Sequence, residues 1–151
     1  MSNLSRTART RSDDPQSVPV GAGEPDLVVV DTTWGELQPW QPLAGIPTVG
    51  ELEVAELCAS GATLVDTRVA DSRGGCTIPG AVSIPHDQVA ERQEELSANG
   101  VSVLFCNGPQ CVQTPDALRT LRDAGYPLDR LAYYRGGMHD WVSLAMPTEP
   151  I

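Results

Sequence analysis

Val101-Ser102-Val103-Leu104-Phe105 runs directly into Cys106, and this stretch constrains the fold more than any other. A strand with one wet face alternates apolar and polar positions. A near-continuous apolar run suits a strand buried on both faces, as in parallel sheets. Parallel neighbours need crossover connections, and both faces then need helices. The chain offers the parts. ATLVDT (62–67), the end of IPGAVSI (78–84) and RLAYY (130–134) read as strands, and DLVVVD (26–31) as a short one. A Thr48-x-x-Glu51 capping box opens a helix with Leu52, Val54, Ala55, Leu57 and Cys58 as its apolar stripe, and Gly61 stops it. Asp87 is expected to cap a helix running to about Ser97. Thr114 and Pro115 are expected as N-cap and first residue of a helix reaching Ala124, with Gly125 as its stop. Gly136-Gly137 turns into a last helix around Met138–Leu144. The alternation predicts an α/β fold: a mostly parallel sheet with helices on both faces.

With 151 residues the chain suits one domain. Residues 1–25 are polar and aperiodic and read as a disordered tail. Residues 26–45 read as an N-terminal extension packing on the domain. Its Trp34 and Trp40 either pin that extension down or offer a patch to a protein partner. The regular pattern fills 46–149. There are 20 acidic residues and 10 basic ones, all arginine. Arg6, Arg9 and Arg11 lie in the tail, so the remainder is strongly acidic. Nucleic acid and anionic membrane surfaces would repel it. The start of the chain lacks the apolar stretch of a secretory signal, and no apolar run approaches the roughly 20 residues of a membrane span. The expectation is a cytoplasmic protein, with its thiols reduced.

There a cysteine pair points to redox, catalytic or metal chemistry. Cys106 closes a strand. Asn107, Gly108, Pro109, Gln110, Cys111, Val112 and Gln113 then lead towards a helix. Ligands of open α/β sheets bind at the carboxyl ends of strands. Successive loop amides can converge there, and a helix N-terminus adds positive potential. Both stabilise an anion: a thiolate, a persulfide or a bound oxyanion. Such a Cys106 would have a lowered pKa. The plainer alternative is a small buried hydrophobe. Cys111 either packs under the loop or is a resolving thiol. No second paired motif supports zinc, and no metal is expected. Asp66 and Arg68 fit a structural ion pair, and Trp141 fits the core.

From about Ile46 to Glu149 the chain resembles the rhodanese-like domain family. Four stretches carry the resemblance in order: TLVDTR (63–68), IPGAVSIP (78–85), LFCNGPQC (104–111) and YYRGGMHDW (133–141). It implies about five parallel strands flanked by helices, no cofactor, and Cys106 as the sulfur-carrying nucleophile. The thiolate would take the outer sulfur of a donor such as thiosulfate or a persulfide, then pass it to cyanide or a thiol. The implied partners are a small sulfur-containing donor and a thiol acceptor, with a thioredoxin-like reductant or a protein partner as further candidates.

The departures are specific. Many catalytic members of that family carry Arg or Lys five residues after the cysteine, where this chain has Cys111. No basic residue lies between Cys106 and Thr114. Neutral amides must then hold the anion, or Arg68 or Arg135 must reach in. The loop is expected to be about two residues longer than the family's six. A phosphatase needs a late loop arginine, which is missing. His86 and His139 are candidate proton carriers, with capping or surface roles as the alternative. The expectation is a sulfurtransferase or persulfide carrier. The alternative is a non-catalytic or redox-sensing rhodanese-like binding module.

Overall fold

The computed structural model describes residues 20–21, 28–29, 35–73 and 75–151. The rest of the expected tail, and Trp34, lie outside the described residues. Two short strands, β1 (Val20–Gly21) and β2 (Val28–Val29), pair antiparallel. Part of the segment expected to be disordered therefore carries strand pairing.

Helix α1 (Glu51–Ala59) leads to β3 (Thr63–Asp66). The Gly50 amide donates to Glu53 Oε1 at 3.2 Å, so Gly50 opens this helix. Thr48 caps nothing; its hydroxyl donates to the Trp40 carbonyl. The expected Thr48–Glu51 box is thus displaced by two residues. Gly61, at φ +93°, ends α1 as expected. The Ala62 amide reaches back to the Leu57 carbonyl, closing the left-handed helix stop.

After β4 (Cys76–Thr77) and β5 (Val82–Ser83), the Asp87 segment forms turns and one 3-10 turn at Gln93–Glu95, where an α-helix was expected. Arg92 pairs with Glu95 there, and its guanidinium also reaches the Ser83 carbonyl. These are tertiary ties that local spacing cannot announce. β6 (Ser102–Phe105) is buried throughout. Helix α2 (Gln113–Asp123), β7 (Leu131–Tyr134), α3 (Gly137–Ser143) and β8 (Glu149–Pro150) complete the order.

The main sheet has four parallel strands in the order β5-β3-β6-β7. A fifth was expected. In its place is a single parallel bridge, Thr48 to Tyr133, beyond β7. β8 instead pairs antiparallel with β4 in a separate two-stranded ribbon.

Alternate residues of each strand feed opposite faces. Val65, Leu104, Leu131 and Tyr133 pack with Ala117, Leu118 and Leu121 of α2. Leu64, Val103, Phe105, Ala132 and Tyr134 pack with Val54 of α1 and with Met138 and Trp141 of α3. Trp141 is core, as expected, and its indole N–H donates to the Pro147 carbonyl. Two packed faces leave the carboxyl ends of β3, β6 and β7 to converge at one edge.

Candidate active site

Cys106 follows the last residue of β6, and Gln113 opens α2. The connecting loop is therefore Asn107–Val112, shorter than the Thr114 start implied. Thr114 is not a cap. It is buried, and its hydroxyl meets that of Thr67 at 2.8 Å. Thr67 in turn donates to the Phe105 carbonyl through both its amide and its hydroxyl.

Helix α3 sets the loop's orientation. The Met138 amide donates to the Cys106 carbonyl at 3.0 Å, and the His139 amide to the Asn107 carbonyl at 2.7 Å. In a trans peptide the C=O and the following N–H point opposite ways. Drawing these two carbonyls towards α3 turns the Asn107 and Gly108 amides to the other side.

Arg68 anchors the loop from below. It is wholly buried, its Nη2 lies 2.6 Å from Asp66 Oδ2, and it also donates to the Cys76 carbonyl. Its Nη1 donates to Asn107 Oδ1 at 3.2 Å, while Asn107 Nδ2 donates to the Ser72 carbonyl at 2.9 Å. The Thr77 hydroxyl also donates to Asp66 Oδ2 at 2.9 Å. The Asp66–Arg68 pair is structural, as expected, and it fixes one loop residue.

Cys106 and Cys111 are both buried and pack against each other as free thiols. Their electrostatics differ from the expectation. Burial above all pushes the Cys106 thiol well up, and the neighbouring Cys111 adds to this. The Thr114 hydroxyl and amide act against it. Cys111 is held below the ordinary thiol range, first by a hydrogen bond from Cys106. Burial opposes this, while the Gln113 and Asn107 amides and the charge of Arg68 assist. The Cys106 thiol donates to the Cys111 carbonyl oxygen at 3.6 Å. The loop amides serve the second cysteine, because Cys106 lies deeper at the strand end.

The other candidates divide. Gly108 lies against His139: a Cβ there would stand 2.7 Å from the His139 Cβ. The His139 ring has Nδ1 at 3.1 Å from Asp140 Oδ1, and its buried Nε2 meets no partner. His86 continues the β5 ladder, its amide donating to the Thr67 carbonyl. Arg135 does not enter the loop. Its guanidinium donates twice to the Gln38 carbonyl and lies 5.7 Å from the centre of the Trp40 ring. The Gln38 amide donates to the Pro109 carbonyl at 2.8 Å, and Gln110 Nε2 to the Gly35 carbonyl. Residues 35–40 thus lie across the loop, with Trp40 pinned at one side yet exposed.

Three residues escaped the sequence reading. Ser72 touches both Asn107 and Gln113. Arg73 follows it, half-buried, with a buried Nε that meets no acceptor. Tyr133 is buried, and its hydroxyl has no protein partner. Leaving a hydroxyl so costs about 1–3 kcal/mol. In the sequence Ser72 and Arg73 read only as part of the Gly-rich turn SRGGC, and Tyr133 only as part of the RLAYY strand. A groove of about 440 Å³ lined by Val49, Leu57, Val101 and Leu131 lies at the opposite, amino-terminal ends of β6 and β7 and includes no loop residue. No helix among the described residues is long and apolar enough to cross a membrane.

Comparison with known proteins agrees with this architecture. An HTH-type transcriptional regulator of Mycobacterium tuberculosis is 39% identical over 87 residues, which are 58% of this chain and 37% of that protein. The chain thus matches little more than a third of that relative's length. The rhodanese-like domain of an Anabaena protein superposes with a TM-score of 0.57 at 24% identity, covering 70% of this chain and 80% of that one. A thiosulfate sulfurtransferase from Pseudomonas aeruginosa gives 0.56 at 24% identity, over 70% of this chain and 20% of that one. These structures share the fold. The family model for the rhodanese-like domain matches residues 52–144, from α1 through the cysteine loop to the end of α3, and the chain belongs to the rhodanese-like domain family.

Proposed function

We propose that this protein is a persulfide-carrying sulfurtransferase in which Cys106 accepts a sulfane sulfur and Cys111 both activates and discharges it. One observation carries the reading: two buried free thiols, Cys106 and Cys111, pack against each other at the carboxyl end of β6, with Cys106 Sγ 3.6 Å from the Cys111 carbonyl oxygen.

The Cys111 thiolate takes the Cys106 proton as Cys106 sulfur attacks the outer sulfur of a donor persulfide. The donor's S–S bond breaks, its thiolate leaves, and Cys106 carries the new S–S bond. An acceptor thiolate then attacks the outer sulfur and departs as the new persulfide, with Cys106 as leaving thiolate. Without an acceptor, deprotonated Cys111 attacks the inner sulfur. HS⁻ leaves and a Cys106–Cys111 disulfide remains, which a dithiol of thioredoxin type would reopen. Both electrons of that oxidation come from the thiols and are taken by the departing sulfide. Arg73, next to the Ser72 that holds the loop, is the cation best placed by chain position to meet an anionic donor.

A second reading is favoured by the similarity to a transcriptional regulator and by the absence of a basic residue in the loop sequence. In it the disulfide is the output, and the domain reports sulfane sulfur to a protein partner.

Intact-mass spectrometry after incubation with thiosulfate or glutathione persulfide tests the proposal on wild type, Cys106→Ser and Cys111→Ser. The expected result is a one-sulfur adduct that requires Cys106 and outlives the wild-type adduct in Cys111→Ser. No adduct from either donor would sink it. Disulfide formation without transfer to an added thiol would favour the second reading.

A further inference from the structure

Leu104 of β6 stands opposite Tyr133 of β7 in the parallel register. Leu104 and Tyr133 share the sheet face packed by α2. Strand side chains alternate between faces, so Cys106, two residues beyond Leu104, leaves the strand towards that same face. Tyr133 is its diagonal neighbour on the adjacent strand, within the span of an aromatic side chain. The phenol is buried, and its oxygen meets no protein donor or acceptor. Native structures rarely leave such a group unmatched.

The charges around it agree. Burial first, then charge on Cys106, disfavours the phenolate, with charge on Cys111 adding to this and Arg135 and Arg119 opposing. Both thiols therefore lie within Coulomb range of the ring oxygen. Tyr133 is held protonated well beyond the ordinary phenol range, and a protonated phenol can donate.

We propose that the Tyr133 hydroxyl is a catalytic hydrogen-bond donor to the sulfur anion that forms at Cys106, taking the part that a cation in the loop would otherwise play. The donor is neutral, so it adds no charge that would hold the anion when Cys106 is protonated. It also comes from below the loop, leaving the loop amides to Cys111. For the persulfide this inference rests on the sulfur-carrier reading; for the thiolate it does not.

Tyr133→Phe tests both. The first measurement is the pH dependence of Cys106 alkylation by iodoacetamide, made in a Cys111→Ser background with and without the Tyr133→Phe change. Thr114 then acts on the thiol through its hydroxyl and amide, while Arg135 and Arg119 act on the Tyr133 phenol. Loss of the phenol is expected to move the profile to higher pH by about one unit, or about tenfold in rate below it, as for one hydrogen bond to a charged group. The second measurement is the yield and lifetime of the glutathione-persulfide adduct in otherwise wild-type protein, which is expected to fall in Tyr133→Phe. The third is Tm, expected to stay or rise, because an unmatched buried hydroxyl is removed. Superimposable alkylation profiles would overturn the proposal. So would a fall in Tm, which would mean that the hydroxyl is already bonded for structural reasons. If wild type forms no sulfur adduct but the profile still moves, the carrier reading fails and the role of Tyr133 stands.

Discussion

A Cβ on Gly137 would collide with the Cys106 carbonyl oxygen and stand 2.8 Å from the Gly108 nitrogen, and the φ of Gly137 is +56°. Both facts demand glycine, because no other residue adopts this conformation cheaply and none would fit. The Gly-Gly pair was legible in the sequence as a turn. That its second glycine presses on the cysteine loop was not, since the contact spans some thirty residues. Gly137→Ala is expected to lower stability by about 2–4 kcal/mol, from the left-handed backbone and the overpacking together. Denaturant unfolding would measure it. A variant of unchanged midpoint would mean that the loop yields freely, and α3 would then not orient it. His139 acts here through its backbone and its Cβ more than through its ring. A chain position alone could not divide those roles.

At the scale of elements, each helix ends in the same way. Gly61 and Gly125 have φ of +93° and +82°, and both were readable as stops. The third stop is Ala145 at φ +54°, where the Met146 amide reaches back to the Trp141 carbonyl. No local pattern announced it, because alanine normally continues a helix. The tie is made instead by Trp141, held in the core. Ala145→Gly is expected to stabilise the protein by about 1 kcal/mol, the left-handed strain relieved less the added chain entropy. A lower Tm would show that the strain is absorbed elsewhere. The start of α2 misled for a related reason. Thr114-Pro115 looks like a cap and first residue, yet the Thr114 hydroxyl bonds to Thr67, forty-seven residues away. A tertiary partner had a better use for it than the helix end.

Across the whole molecule, the segment before the family domain closes over its site. Gly35, Gln38 and Trp40 meet Gln110, Pro109 and Arg135, and both cysteines beneath are at most 5% exposed. Any reagent that reaches the thiols must therefore enter when this strap or the loop opens. Arg135→Ala removes two hydrogen bonds and a cation–π contact, about 1–3 kcal/mol together. Alkylation of the Cys106–Cys111 pair is expected to quicken roughly tenfold, in step with the open population. An unchanged rate would place the route of entry elsewhere.

Local physics explains what the sequence by itself determined. Continuous apolar runs, glycine stops and the Cys106 loop follow from period, backbone freedom and chain order, so the parallel α/β plan and the main nucleophile candidate were already legible. Tertiary structure alone decided that both thiols lie buried side by side and that burial pushes the Cys106 thiol up, because burial belongs to the folded loop. It alone reduced the fifth strand to one bridge, paired β8 with β4, and set Tyr133 opposite Leu104 with its hydroxyl buried. Those outcomes rest on contacts between residues far apart in the chain, whose free energies exist only once the sheet has brought them together.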